Sequence, residues 1–308
     1  MNRPAVLIAL ILCASLYAAA ASGSISKTEK EEQFWMLVDF PERDLFKTIG
    51  MTSETSKQEA ILIMERALLK HPDTKMRITC AKVLGRVEAK SSTGHLARAL
   101  RDADPEVRRF SALSLGFLKE ERAFDTLLQL YKKEPSSQTR SGIVVALRTM
   151  EHKHSGGVIA KILVSDPNAR VRRTAATALR ELEEERAWKQ LIQALDDTDA
   201  LVRSESAKTL GILKEHRALD KLIELLQDTH AGVRHNVVGA LAKLNDKKAL
   251  NPLIAVLKDE DLKVRKGAAS ALGGIGSSKA IKPLEEMAKS DPDKTAREAA
   301  TAAIKRLK

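Results

Sequence analysis

The hydrophobic pattern of this chain repeats itself. An arginine recurs as Arg77, Arg108, Arg140, Arg172, Arg203, Arg234, Arg265 and Arg297, at intervals of 31 or 32 residues. The residue before it is usually valine, as at Val107, Val171, Val202, Val233 and Val264, and is Met76, Thr139 or Ala296 otherwise. Seven residues after each arginine stands a large aliphatic: Leu84, Leu115, Leu147, Leu179, Leu210, Leu241, Leu272 or Ile304. Offsets of −1, +3, +4, +7 and +10 from the arginine fall on one face of a 3.6-period helix, so each arginine is predicted to open an amphipathic helix of about four turns. Four residues before it stand Asp73, Asp104, Ser136, Asn168, Asp199, His230, Asp261 and Asp293. All but His230 are favoured N-caps, because a short side-chain oxygen can accept from the free amides of the first turn.

A second apolar rhythm precedes each of these helices, as in Ala187, Leu191 and Leu195 or Ala218, Leu222 and Leu226. The connections are short and acidic, for example Asp196-Asp197-Thr198-Asp199. Paired antiparallel helices in tandem predict an all-α fold, an α–α superhelix or solenoid of about eight helix pairs over residues 55–308. Units in such an array touch mainly their neighbours and present a long surface rather than a closed pocket, which points to binding.

The pattern Asp-x-x-Val-Arg-x-x-Ala-x-x-Ala-Leu resembles the HEAT repeat, in the short form called the PBS-lyase HEAT-like repeat. The period is shorter than the ~40–47 residues of ordinary HEAT units. Tetratricopeptide and ankyrin signatures are absent. The resemblance implies HEAT-like helix pairs and a structural role for the recurrent arginine. Acidic residues six before the arginine (Asp102, Glu134, Asp166, Asp197, Asp228, Asp259 and Asp291) can form a ladder with it along the turns.

The N-terminus changes the picture of where the chain works. Met1-Asn2-Arg3, an apolar run from Ala5 to Leu16 and the small residues Ala18 to Ala21 read as a secretory signal peptide over residues 1–23. This places the protein in the periplasm or cell envelope. An uncleaved anchor, or lipidation at Cys13, is the less favoured reading. Residues 24–54 form a separate segment containing Phe34, Trp35, Phe40 and Phe46, with a predicted helix from Lys27 to Asp39 that Pro41 ends. It either caps the first repeat or docks a partner or the membrane surface. With Cys13 removed, Cys80 is a lone thiol in a core-facing column, expected to be buried and inert.

The net charge of +11 falls to +10 when Arg3 is lost with the leader. It would suit nucleic acid, as in HEAT-like DNA glycosylases, but export argues against that partner. No phosphate loop, nucleophile elbow or His-Glu-x-x-His occurs. His152 and His154 lack a third ligand nearby in sequence. The expectation is therefore no enzyme activity, no catalytic residues, no metal and no cofactor. A phycobilin-lyase-like or other cofactor-binding HEAT enzyme is the alternative, and an electrostatic binder of acidic polymers or anionic lipid is another. The second helices are expected to line a concave face, with offsets +1, +5, +8 and +12 outward and Glu120 and Glu184 toward its far edge. The partner-binding residues expected there are Arg109, Phe110, Leu113, Phe117, Arg148, Arg173 and Arg180, engaging an acidic or amphipathic segment of another protein.

Overall fold

The structure, a computed structural model, describes residues 54–308. The leader over 1–23, and the segment over 24–54 except for Glu54, lie outside the described residues. Among the described residues the fold is all-α, with sixteen α-helices in eight pairs and short 3-10 turns between them. They fall into two compact units, the first ending at His152 and the second beginning at Lys153.

In the first unit the pairs are α1 (Glu54–Lys70) with α2 (Thr74–Arg86), α3 (Thr93–Ala99) with α4 (Pro105–Phe117), and α5 (Phe124–Lys133) with α6 (Ser137–Met150). In the second they are α7 (Ser155–Ser165) with α8 (Ala169–Glu181), α9 (Trp188–Gln193) with α10 (Ala200–Ile212), and α11 (Leu219–Glu224) with α12 (Ala231–Leu244). The remaining two are α13 (Leu250–Ala255) with α14 (Leu262–Ile275) and α15 (Ile281–Ser290) with α16 (Lys294–Leu307). Within each unit the second helices pack closely on one another, while successive first helices meet far less. Elements that crowd together lie on the shorter radius, so the second helices line the inner side of each unit.

The start signals behave as read. Asp73, Asp104, Ser136, Asn168, Asp199, Asp261 and Asp293 each accept from an amide of the first turn, and His230 occupies its N-cap without a side-chain bond. The ends carry no such signal in most repeats. The residue eleven after each of the first seven arginines is left-handed: Glu88, Lys119, Glu151, Glu183, Lys214 and Asn245 have φ of 50–54°, and Gly276 has 76°. Only Asn245 and Gly276 are residue types that favour this conformation.

The core is the predicted stripe. Val107, Ala112, Leu115, Val202, Ala207, Leu210, Val264, Ala269 and Leu272 are essentially inaccessible. Offset +8, expected to face outward, instead holds a close approach wherever it is glycine. A Cβ on Gly211 would lie 2.5 Å from Cα of Ala240, and one on Gly273 would lie 3.0 Å from Cα of Ala303. Gly116 meets Ala146 in the same way. The second helices pack backbone to backbone at that point, and any side chain would hold them apart.

The arginines form a ladder whose carboxylates come from the following repeat. Nε and Nη2 of Arg203 donate to both oxygens of Asp228 at 2.7 and 2.9 Å, while Nη1 donates 2.8 Å to the backbone carbonyl of Asp197, six residues before it. Arg77 with Asp102, Arg108 with Glu134, Arg172 with Asp197, Arg234 with Asp259 and Arg265 with Asp291 repeat the geometry. Each carboxylate also accepts from the amide two residues on, as Asp228 does from His230. One guanidinium thus closes its own turn and clamps the next.

Candidate functional site

In the first unit the inner face centres on α4. Its accessible stripe is Glu106, Arg109, Phe110, Leu113 and Phe117, with Arg109 and Phe110 adjacent and the other steps three or four residues. Phe117, at 59% exposure, is the most exposed large apolar side chain among the described residues. Phe110 is half-buried, with Nζ of Lys82 4.2 Å and the Arg109 guanidinium 4.1 Å from its ring centre. Both cations meet the electron-rich ring face. Exposed Lys82 and Arg86 of α2 border the stripe on one side, and half-buried Val145 and Arg148 of α6 on the other. The sequence-predicted Arg109, Phe110, Leu113 and Phe117 therefore share one surface.

Their charges are less free than their letters suggest. Arg109 makes a two-pronged pair with Glu106, at 2.8 and 2.5 Å, one turn back on the same helix. This bond holds the Glu106 carboxyl below its ordinary range, against burial and with help from Lys82. Arg109 lies flat across the adjoining α6, where a Cβ on Gly142 would come within 2.6 Å of Arg109 Cγ. Glycine at that position leaves the guanidinium room to reach the Phe110 ring. Arg148 donates to Thr149 Oγ1 at 3.1 Å.

In the second unit Arg173 is exposed on α8 and makes no ion pair among the described residues. Arg180 is paired with Glu205 of α10 at 3.0 Å and lies 4.0 Å from Glu181. Lys208, His235, Lys243 and Lys263 are exposed on the same inner side, and Lys266 is half-exposed. Glu205 was invisible as a partner because it belongs to the next repeat at offset +2, and only helix adjacency brings it to Arg180. Glu106 was legible, three residues before Arg109. Glu120 and Glu184 do not stand at the edge of the second helices. Both lie beyond the helix end and accept from the amides of Arg122 and Arg186, capping the turn into the next first helix.

Outside the inner face, crevices open between successive first helices of the second unit. One of about 890 Å³ is lined by Ile254, Leu257, Pro283 and Met287 around the Arg265–Asp291 pair. One of about 400 Å³ surrounds Arg172–Asp197 in the same way. Their polar floors are taken up by the ladder. Cys80 is fully buried, and burial pushes its thiol up to about 12. Trp188 is half-buried under the Arg217 guanidinium at 4.0 Å, a packing contact between repeats.

The profile of HEAT repeats matches residues 64–148, 158–235 and 219–305, and the chain belongs to the HEAT-repeat family. No curated protein matches the sequence. Among solved structures it is similar to YibA of Escherichia coli, with 23% identity over 83% of this chain and 97% of that one, at a TM-score of 0.61. It is also similar to Kap95p, from a structure of its complex with RanGDP, with 12% identity and a TM-score of 0.66. That match covers 98% of this chain but only 48% of Kap95p. The CpcE–CpcF phycocyanin lyase of Nostoc is 18% identical over 80% of this chain and 94% of that one, at a TM-score of 0.43, too loose to bear on function.

Proposed function

We propose that this chain is a non-enzymatic protein-interaction scaffold, exported to the cell envelope, that binds an acidic or amphipathic segment of another protein on its second-helix faces. The observation that carries this reading is the α4 stripe. Phe117 is exposed, and it continues through Leu113 into a Phe110 ring held under two cations. Aromatic side chains and arginine are enriched at protein interfaces relative to the rest of the surface. Kap95p, a neighbour of the same fold, binds RanGDP. Export rests on the residues of the leader alone.

Residue assignments follow the geometry. Phe117, Leu113 and Phe110 supply apolar area, with Lys82 and Arg86 as the accessible cations. Arg109 and Arg148 position that surface. Arg173 is one of the accessible cations of the second unit, with Lys208, Lys243 and Lys263, whereas Arg180 is already neutralised by Glu205.

A photo-crosslinking residue at position 117, introduced in cells, is expected to trap one discrete partner protein. Phe110→Ala should weaken that capture by about 2 kcal/mol, roughly thirtyfold. Equal trapping from an exposed first-helix position such as Asp220, or trapping indifferent to Phe110→Ala, contradicts the assignment. Arg173→Glu should reduce capture more at low salt than at high salt, as screening requires.

A further inference from the structure

The inner face of the first unit calls for an acidic segment with aromatic anchors, and the chain carries one. Residues 29–46 hold six acidic side chains (Glu29, Glu31, Glu32, Asp39, Glu42 and Asp44) against Lys30 and Arg43, in a chain whose formal net charge is +11. The same stretch contains Phe34, Trp35, Phe40 and Phe46, four of the ten aromatic residues of the whole sequence. We propose that residues 29–46 occupy the Phe110–Leu113–Phe117 face of the same molecule, so that an outside partner must displace them. This rests on the reading of that face as a binding surface.

The connection permits it. Helix α1 is joined to α2 by the short turn at 71–73, so the two run antiparallel. The start of α1 at Glu54 therefore lies at the end of the unit where α2 stops at Arg86. Helix α4 runs parallel to α2 and stops at Phe117, at that same end. From α1 across α2 to α4 is two helix spacings, about 16–20 Å. The seven residues 47–53 reach about 23–25 Å when extended. Residue 46 can thus arrive beside Phe117 without any rearrangement of the helices.

Apolar area decides between this face and the outer side of α1. The exposed side of α1 offers one large apolar residue, Leu62 at 53% exposure, among the exposed charges Glu59, Arg66 and Lys70. Lys82 and Arg86 attract an acidic segment to the α4 face. The aromatic side chains find Phe117 and Leu113 on the α4 stripe, where Phe110 is already polarised by its cations.

The test uses the full chain with p-benzoylphenylalanine at position 117 or, in a second variant, at position 62. Purified dilute protein is irradiated and the adducts are mapped by peptide mass spectrometry. The expected result is an adduct within the monomer joining residue 117 to residues 29–46, reduced at least fivefold by Glu31→Lys with Glu32→Lys. Capture of the segment by position 62 and not by 117 overturns the proposal, as does an adduct found only between two copies. A probe at 117 that traps an outside protein in cells but never residues 29–46 removes the internal occupant while leaving the partner-binding role in place. Trapping of residues 29–46 with no outside protein supports the internal occupant and removes the partner-binding role.

Discussion

Five of the left-handed positions that end the second helices hold Glu88, Lys119, Glu151, Glu183 and Lys214, side chains that pay for that conformation. All five are exposed; Lys119 and Glu151 pair with each other at 2.7 Å, whereas Lys214 makes no ion pair among the described residues and only its local backbone is at stake. Lys214→Gly is expected to raise stability by about 0.5–1 kcal/mol in a urea titration. An unchanged midpoint would show that the turn is not strained. The ladder residues carry the opposite liability. Asp228→Ala leaves the Arg203 guanidinium tied to two carbonyls with no carboxylate bonded to it in a largely buried site, at a cost of about 3 kcal/mol. Adding Arg203→Leu should recover part of that loss, because the penalty lies in the orphaned charge. A double substitution worse than the sum of the singles would rule this account out.

At the level of the helix the decisive contact is between second helices. Gly211→Ala places a methyl group against the Ala240 backbone and is expected to cost about 1–3 kcal/mol. Gly239 lies in the interior of α12, where an added methyl group would meet no atom of a neighbouring element within 4 Å. Gly239→Ala should therefore gain about 0.5–1 kcal/mol through helix propensity. Thermal melts of the two variants are expected to move in opposite directions. The contrast is not legible in the sequence: both glycines lie inside the predicted second helices, and only the neighbouring helix distinguishes them. The apolar stripe, the N-caps and the helix pairing are legible, because each depends on spacing within one repeat.

For the molecule as a whole, the ladder couples stability to pH. Asp291 is held below the ordinary carboxylate range chiefly by the bond from Arg265, against burial. At Asp197, Asp228 and Asp259 burial pushes upward most strongly, yet the arginine bond, the amide two residues on and the charge of that arginine together leave each lowered. A lowered folded pKa contributes stability that is complete above the unfolded value of about 3.9 and is lost as pH falls through the folded value. Acid unfolding is thus expected to steepen below about pH 4, with little change between pH 5 and 8 from these groups. Asp228→Asn should flatten that slope in acid titrations followed by circular dichroism. An equally steep acid limb in the variant would place the sensitivity elsewhere.

The sequence by itself determined the family, the helix pairs, their starts and their core, since a 31- or 32-residue period repeats one local solution eight times. It also placed Arg109, Phe110, Leu113 and Phe117 on one stripe, because helical spacing alone does that. Tertiary structure decided which of the charges remain available. Arg109 and Arg180 are engaged by Glu106 and Glu205, and the ladder arginines by carboxylates of the following repeat. The pairings between repeats join residues 25 or 26 positions apart across the contact between successive repeats, and no periodicity within one repeat encodes which neighbour will meet it. The candidate surface is accordingly narrower than the arginine pattern suggested: an apolar stripe on α4 with Lys82 and Arg86 at its edge.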